Sequence, residues 1–237
     1  MSIRNDVYRE SAQSYSELLR QYMVKVFAHM FVALGITGGV SFLILSTDII
    51  NYFFSESVGI TSLGWVMILS PIVFAVILGT QLHKISADTA LNLLWLYAVM
   101  VGASLTISLY FYNGASIARV FFITAITFLS MSIYGYITKK ALVKYGSFLL
   151  MGIIGILIAS LVNIVLQSST LYFVTSIMTV LVFVVFTAYD VQRLKYLFDS
   201  NSVFDRDKVA AIGALALYMD FINIFVALLH LAGERRR

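Results

Sequence analysis

The sequence predicts an all-α polytopic membrane protein of seven transmembrane helices with the C-terminal helix at the centre. Three observations lead there. Hydrophobic residues make up 60% of the 237 and charged residues only 12%, with a mean hydropathy of +0.92. A soluble domain carries about 25% charged residues, and so large an apolar excess cannot be hidden in a soluble core of this size. Apolar runs of the roughly 20 residues needed to cross a bilayer recur seven times between short polar links. The last run carries a stripe of small and polar residues, which suits a helix surrounded by other helices better than one facing lipid.

The runs are read in order as follows. Residues 1–23 form a polar arm on the cytosolic face, partly helical, and 24–237 form the membrane domain. The first span covers about Val24 to Leu45 and ends before STDIINYFFSESVGITS. The second runs from about Leu63 to Leu82 and contains the single proline, Pro71. The third covers about Ala90 to Tyr112, the fourth about Ala118 to Ile137, and the fifth about Ser147 to Leu166. The sixth begins near Leu171, and its helical pattern continues past Asp190 to about Leu197. The seventh covers about Val209 to Ala232. In the fifth, Gly152, Gly155, Ala159, Asn163 and Gln167 share one face; in the seventh, Gly213, Ala216, Asp220, Asn223, Ala227 and His230 do the same. Residues three and four apart lie on one face of a helix, and small ones let backbones approach, so helix packing is the plain reading of the glycines and alanines.

Basic residues set the orientation. Arg4, Arg9, Arg20 and Lys25 lie before or at the start of the first span. Lys84, then Lys139, Lys140 and Lys144, then Arg193, Lys195, Arg206 and Lys208 lie in or beside alternate links. The remaining links are almost bare, with Arg119 near one of them. Positive charge stays inside, so the N-terminus is expected in the cytosol. Arg235, Arg236 and Arg237 break the pattern if the seventh segment crosses fully, which its length favours over a re-entrant path. Tyr8, Tyr15 and Tyr22 recur every seven residues on the arm and suggest contact with the membrane surface. The N-terminal stretch has acids and no early apolar core, so it is not read as a signal peptide. With no cysteine, disulfides, thiolate metal sites and cysteine nucleophiles are excluded. No nucleotide loop, zinc motif or Ser/His/Asp arrangement occurs, so neither an enzyme nor a nucleic-acid partner is expected, and no cofactor.

Most acids lie at a terminus or in a link; Asp190 and Asp220 lie inside the last two apolar runs. A carboxylate at membrane depth is costly and is retained mainly where it faces a cavity, pairs, or carries ions or protons. With the sixth helix extended to Leu197, Asp190 lies about 10 Å and Asp220 about 16 Å from the inner helix ends at 1.5 Å per residue, and tilt removes the difference. Two carboxylates sharing a dry site cannot both ionise cheaply and hold one proton between them. Losing that proton leaves two like charges that repel or recruit a cation, and calcium prefers such oxygens. Asp190 alternatively pairs with Arg193 at the helix end, and Asp220 alternatively serves a structural hydrogen bond. Asn223, Asn163, Arg193 and His83 are candidate supporting residues.

The segments SIYGYITKKAL, GSFLLMGIIGILIASLVN, TAYDVQRLK and GALALYMDFINIFVALLHLAG closely resemble the Bax inhibitor-1 family, above all its bacterial calcium-leak members. The likeness runs from about Lys84 to the C-terminus and is looser over the first helix. It implies a seven-helix fold with the last helix central, a pH-sensitive calcium leak with calcium as permeant ion, and a two-aspartate sensor falling on Asp190 and Asp220. It also implies a bacterial plasma membrane. The alternative it carries is a non-conducting membrane regulator that binds a membrane protease or another protein. The family's acid and basic latch on the second helix has no counterpart in LSPIVFAVILGTQLHKIS, where Gln81 and His83 lie nearest the place.

Overall fold

A computed structural model describes residues 2–55, 59–81, 85–200 and 206–236. The chain runs α1 (Ser2–Leu45), a short α2 (Ile50–Phe53), a two-stranded hairpin β1 (Phe54–Ser55) and β2 (Gly59–Ile60), α3 (Ser62–Gln81), α4 (Ala87–Leu109) and α5 (Gly114–Ile137). A single 3-10 turn (Leu142–Tyr145) leads into α6 (Gly146–Leu166), α7 (Ser169–Ser200) and α8 (Arg206–Ala232). Among the described residues six helices are long and apolar enough to cross a membrane, and α3 supplies a further apolar helix between the first two of them. The seven predicted helices are therefore all present.

Local chemistry fixes the helix ends. Asn113 caps α5 by accepting from the Ala115 amide at 3.1 Å, and Ser86 caps α4 by accepting from Thr89 at 3.3 Å. Both satisfy amides that a helix start leaves orphaned. The α6–α7 turn uses Gln167 at φ 49°, with the Asn163 carbonyl accepting from Gln167 and its side chain from Ser168.

α8 is the axis. It packs against α1, α4, α5 and α7, while α3 leans on α4 and α6 on α7. Across its span 61% of residues are buried, against 6% for α6, so α8 is central and α6 faces lipid on most sides. The small-residue face of α6 is accordingly only partly used. A side chain at Gly152 would meet Val182 of α7, but one at Gly155 would meet nothing within 4 Å. The face is legible in the sequence; whether a neighbour occupies it is not.

α8 crosses the bundle from end to end. At its start Asp207 pairs with Lys25 at 2.7 Å. At its finish the Glu234 carbonyl accepts from the Asn113 amide, and the Arg236 amide donates to the Phe111 carbonyl, both at 2.9 Å. Arg235 and Arg236 therefore sit at the α4–α5 end. At the other end Gln192 of α7 ties down the α5–α6 link holding Lys139 and Lys140.

The N-terminal segment differs from the expected surface arm. It is one helix with the first span, and Leu19, Tyr22 and Met23 are buried. Tyr15 hydrogen-bonds Asp199 and packs edge-on against Phe198 of α7, and Tyr22 packs on the same ring at 5.2 Å. These two tyrosines meet α7, because α7 extends far enough beyond the core to offer them a partner.

Close approach of α5 to α7 depends on Gly135, where any Cβ would overlap the Ala188 carbonyl. Gly135→Val should destabilise the detergent-solubilised protein by about 1–3 kcal/mol, as overpacking does, visible as a lower melting temperature. Gly155→Ala should leave it unchanged or higher.

Candidate functional site

Asp190 and Asp220 lie on α7 and α8, the pair of helices most extensively packed on each other. Both are buried, at 5% and 3% exposure, although each sits in a helix that a bilayer would surround. The two residues thus sit on adjoining helices, each buried within the bundle. Asp220 Oδ2 is buried without a hydrogen-bond partner. A buried, unsatisfied carboxylate oxygen is costly. Asp190 has one cation beside it, Arg193 on the next turn, at 4.0 Å. More than half of the Arg193 side chain is exposed, so this pairing is loose and solvent-screened. Asp190 thus meets Arg193 within α7, ten residues before the helix ends at Ser200.

Toward the basic end the pair is sealed. Leu194 packs over Gly213, whose missing side chain makes the room. Beyond it Phe198 is buried under Tyr22, with the Arg206 guanidinium 4.3 Å from its ring centre. Leu217, Ala210 and Ala214 complete an apolar plug.

Toward the opposite end the bundle is more polar. A cleft of about 390 Å³ lies between α6, α7 and α8, lined by Ser160, Asn163, Tyr172, Thr175, Ser176, Thr179, Asn223 and His230. Asn223 lies three residues after Asp220, one helical turn or roughly 4.5 Å along the axis, so the cleft reaches to within a turn of the pair. The sequence places Asn163 and Asn223 as supporting residues, and the structure brings both to this cleft. Their side chains are engaged locally: Asn163 accepts from Ser168 at 3.0 Å, and Asn223 donates to the Met219 carbonyl at 2.8 Å. His230 stacks on Tyr172 with ring centres 4.9 Å apart.

His83 lies outside the described residues. α3, where a latch would sit, packs on α4 rather than on α7 or α8. Its link to the site is indirect. Phe74 stacks on Tyr97, Tyr97 meets Tyr218 edge-on, both with ring centres 6.0 Å apart, and Tyr218 shares a 2.6 Å hydrogen bond with Thr37 of α1.

Two parts of the site escape a reading of the sequence. The hydroxyls of α7 recur every four residues as Thr175, Thr179 and Thr187, with Phe183 in the third place of the series. Spacing by four is the signal, masked by the apolar residues between. The other is Gln192, buried at 4% exposure. It accepts from the Leu142 amide at 2.7 Å and donates to the Lys140 carbonyl at 2.8 Å. Its place two residues after Asp190 marks it only in retrospect.

These features define a polytopic α-helical membrane protein with an acidic pair buried between its last two helices. Residues 19–237 match the family model described as "Inhibitor of apoptosis-promoting Bax1". The inner membrane protein YbhL of Escherichia coli K12 is 37% identical over 222 residues, covering 92% of this chain and 93% of that one. A Rickettsia prowazekii protein is 37% identical over 227 residues, covering 94% of each chain. A Borreliella burgdorferi protein is 38% identical over 231 residues, covering 94% of this chain and 97% of its own. The chain belongs to the Bax inhibitor-1 family. The match begins within α1, so it extends well beyond the Lys84-to-C-terminus stretch where the resemblance is densest.

Gln192→Leu removes the side chain that bonds the Leu142 amide and the Thr138 and Lys140 carbonyls of the α5–α6 link, a cost of about 1–3 kcal/mol. Limited proteolysis should cut the link between Thr138 and Tyr145 faster in this variant. Asn223→Ala, whose bond stays within α8, should leave that rate unchanged.

Proposed function

We propose that this protein lets calcium, or a cation like it, leak down its gradient across a bacterial plasma membrane, gated by one proton shared between Asp190 and Asp220. The observation that carries the reading is the burial of both carboxylates in adjoining helices, with Asp220 Oδ2 unpartnered. The polar cleft reaching from the α4–α5 end serves as vestibule, and the Leu194 and Phe198 plug serves as the closed gate. The positive-inside pattern puts the plug in the cytosolic half.

In this reading calcium is cargo, an ion that takes six to eight oxygens. Two carboxylates meet an ion in transit without trapping it, which conduction requires. With the second-helix latch missing, closure rests on the proton. At low pH one carboxyl is protonated, repulsion is absent, and α7 and α8 stay packed. As pH rises the proton is lost, two like charges face each other in a poorly solvated place, and the helices separate at the plug or admit a cation. Flux therefore rises with pH.

The test is calcium flux into proteoliposomes containing only this protein, across a pH series. Wild type should conduct more as pH increases. Asp190→Asn and Asp220→Asn should each flatten that dependence, and the double variant should add little to the worse single one, as for residues acting as a unit. Even about 1 kcal/mol of lost repulsion changes a closed-to-open ratio about fivefold. Wild-type pH response in both Asn variants contradicts the gate. No flux at any pH in wild type contradicts the leak and favours a regulator that acts by binding a membrane protease or another protein.

A further inference from the structure

A second cavity lies on the far side of α8 from the polar cleft. α1 and α5 both pack on α8 but leave a groove between them of about 530 Å³. Its walls are apolar, with Leu34 and Phe42 from α1 and Phe121 and Phe122 from α5, and its floor is Phe225 of α8. The hydroxyls of Thr37 and Ser41 also border it but are already spent. Thr37 Oγ1 donates to the Ala98 carbonyl at 3.0 Å, and Ser41 Oγ to the Gly102 carbonyl at 2.7 Å. The groove therefore offers a ligand shape and apolar surface and little hydrogen bonding.

One charged residue borders it. Arg236 lies at the end of the groove nearest the α4–α5 link, where its backbone amide is anchored to the Phe111 carbonyl at 2.9 Å. Glu234 lies two residues before it, but that carboxylate pairs with Arg119 at 3.2 Å. Among the described residues no carboxylate forms a salt bridge with Arg236. The groove spans Leu34 to Leu45 along α1, eleven residues or roughly 16 Å of helix. That is about half of a hydrocarbon core of about 30 Å. An apolar trough about one leaflet deep, with a guanidinium at one end that forms no salt bridge among the described residues, matches the length of one acyl chain and the charge of a lipid phosphate.

We infer that the α1–α5 groove is a phospholipid site, holding one acyl chain against Phe225 and the lipid phosphate against Arg236. The lipid comes from the leaflet on the side of the α4–α5 link, away from the basic links. Gly38 of α1 borders the groove, and a side chain added there meets nothing within 4 Å. The missing side chain is thus part of the groove's width. Filling it takes volume from the lipid rather than from the protein core.

Native mass spectrometry of the detergent-solubilised full chain, titrated with phosphatidylglycerol, tests this. Wild type should retain one phospholipid per chain more tightly than the rest. Gly38→Phe, which fills the trough in a helix already continuous there, should lose that tight class while keeping the wild-type melting temperature without added lipid. Arg236→Gln should weaken phosphatidylglycerol binding about tenfold, the order expected for one lost charge-assisted bond. Equal lipid retention by wild type and Gly38→Phe overturns the site. So does a dimer held through this face, seen as a doubled mass that Gly38→Phe abolishes while lipid stoichiometry stays unchanged. Neither outcome bears on calcium flux, so this site and the aspartate gate stand or fall separately.

Discussion

A carboxylate at membrane depth costs a few kcal/mol even on lenient scales, and Asp220 sits near the middle of a 27-residue helix whose span is largely apolar. That cost shapes the fold. Were α8 on the outside, Asp220 would meet lipid; instead α1, α4, α5 and α7 surround it. The small residues along α8 follow from the same constraint. Ala210, Gly213 and Ala214 are buried, and at Gly213 the neighbouring Leu194 fills the space a side chain would need. Central placement of the acid requires close neighbours, and close neighbours require small residues.

The surrounding helices are then held to α8 by different means. On the α1 side, Tyr218 and Thr37 share a hydrogen bond that satisfies a buried phenol. On the α5 side the contact is aromatic, with Phe121 and Phe128 meeting Phe221 at ring-centre distances of 5.5 Å. At the basic end, Lys25, Asp207, Tyr15 and Asp199 join α1 to the beginnings and ends of α8 and α7. The exposed pairs among these contribute little each. Their arrangement matters more, because they link the N-terminal half of α1 to the two helices that carry the aspartates.

Much of this was legible in the sequence. Composition and run length give the number and positions of the spans, and the lone acids inside apolar runs mark Asp190 and Asp220. The polar stripe of α8 gives its central place. Other features were not legible for physical reasons. Periodicity identifies a face but not its occupant, so the small residues of α6 suggested packing where Gly155 meets open space. Tyr15 and Tyr22 look amphipathic on any helix, and only the length of α7 shows that Phe198 receives them. The threonines of α7 bond back to their own helix carbonyls, so their sequence reads as ordinary apolar helix while Thr175 and Thr179 border the cleft. The basic links at Lys140 and Lys25 lie at one end of the bundle, yet Arg235 and Arg236 lie at the other, because backbone bonds to Phe111 and Asn113 and the length of α8 place them there.

The central claim is that the two aspartates hold one proton as a unit. Infrared difference spectroscopy of the reconstituted protein reads it directly, through the carbonyl stretch of a protonated carboxyl group. The account predicts one such band per chain from the pair, lost as pH rises over the same range in which calcium flux appears. It also predicts that the band is altered by Asn substitution at either Asp190 or Asp220. Two bands that disappear independently, each removed by only one of the substitutions and neither tracking flux, would contradict it.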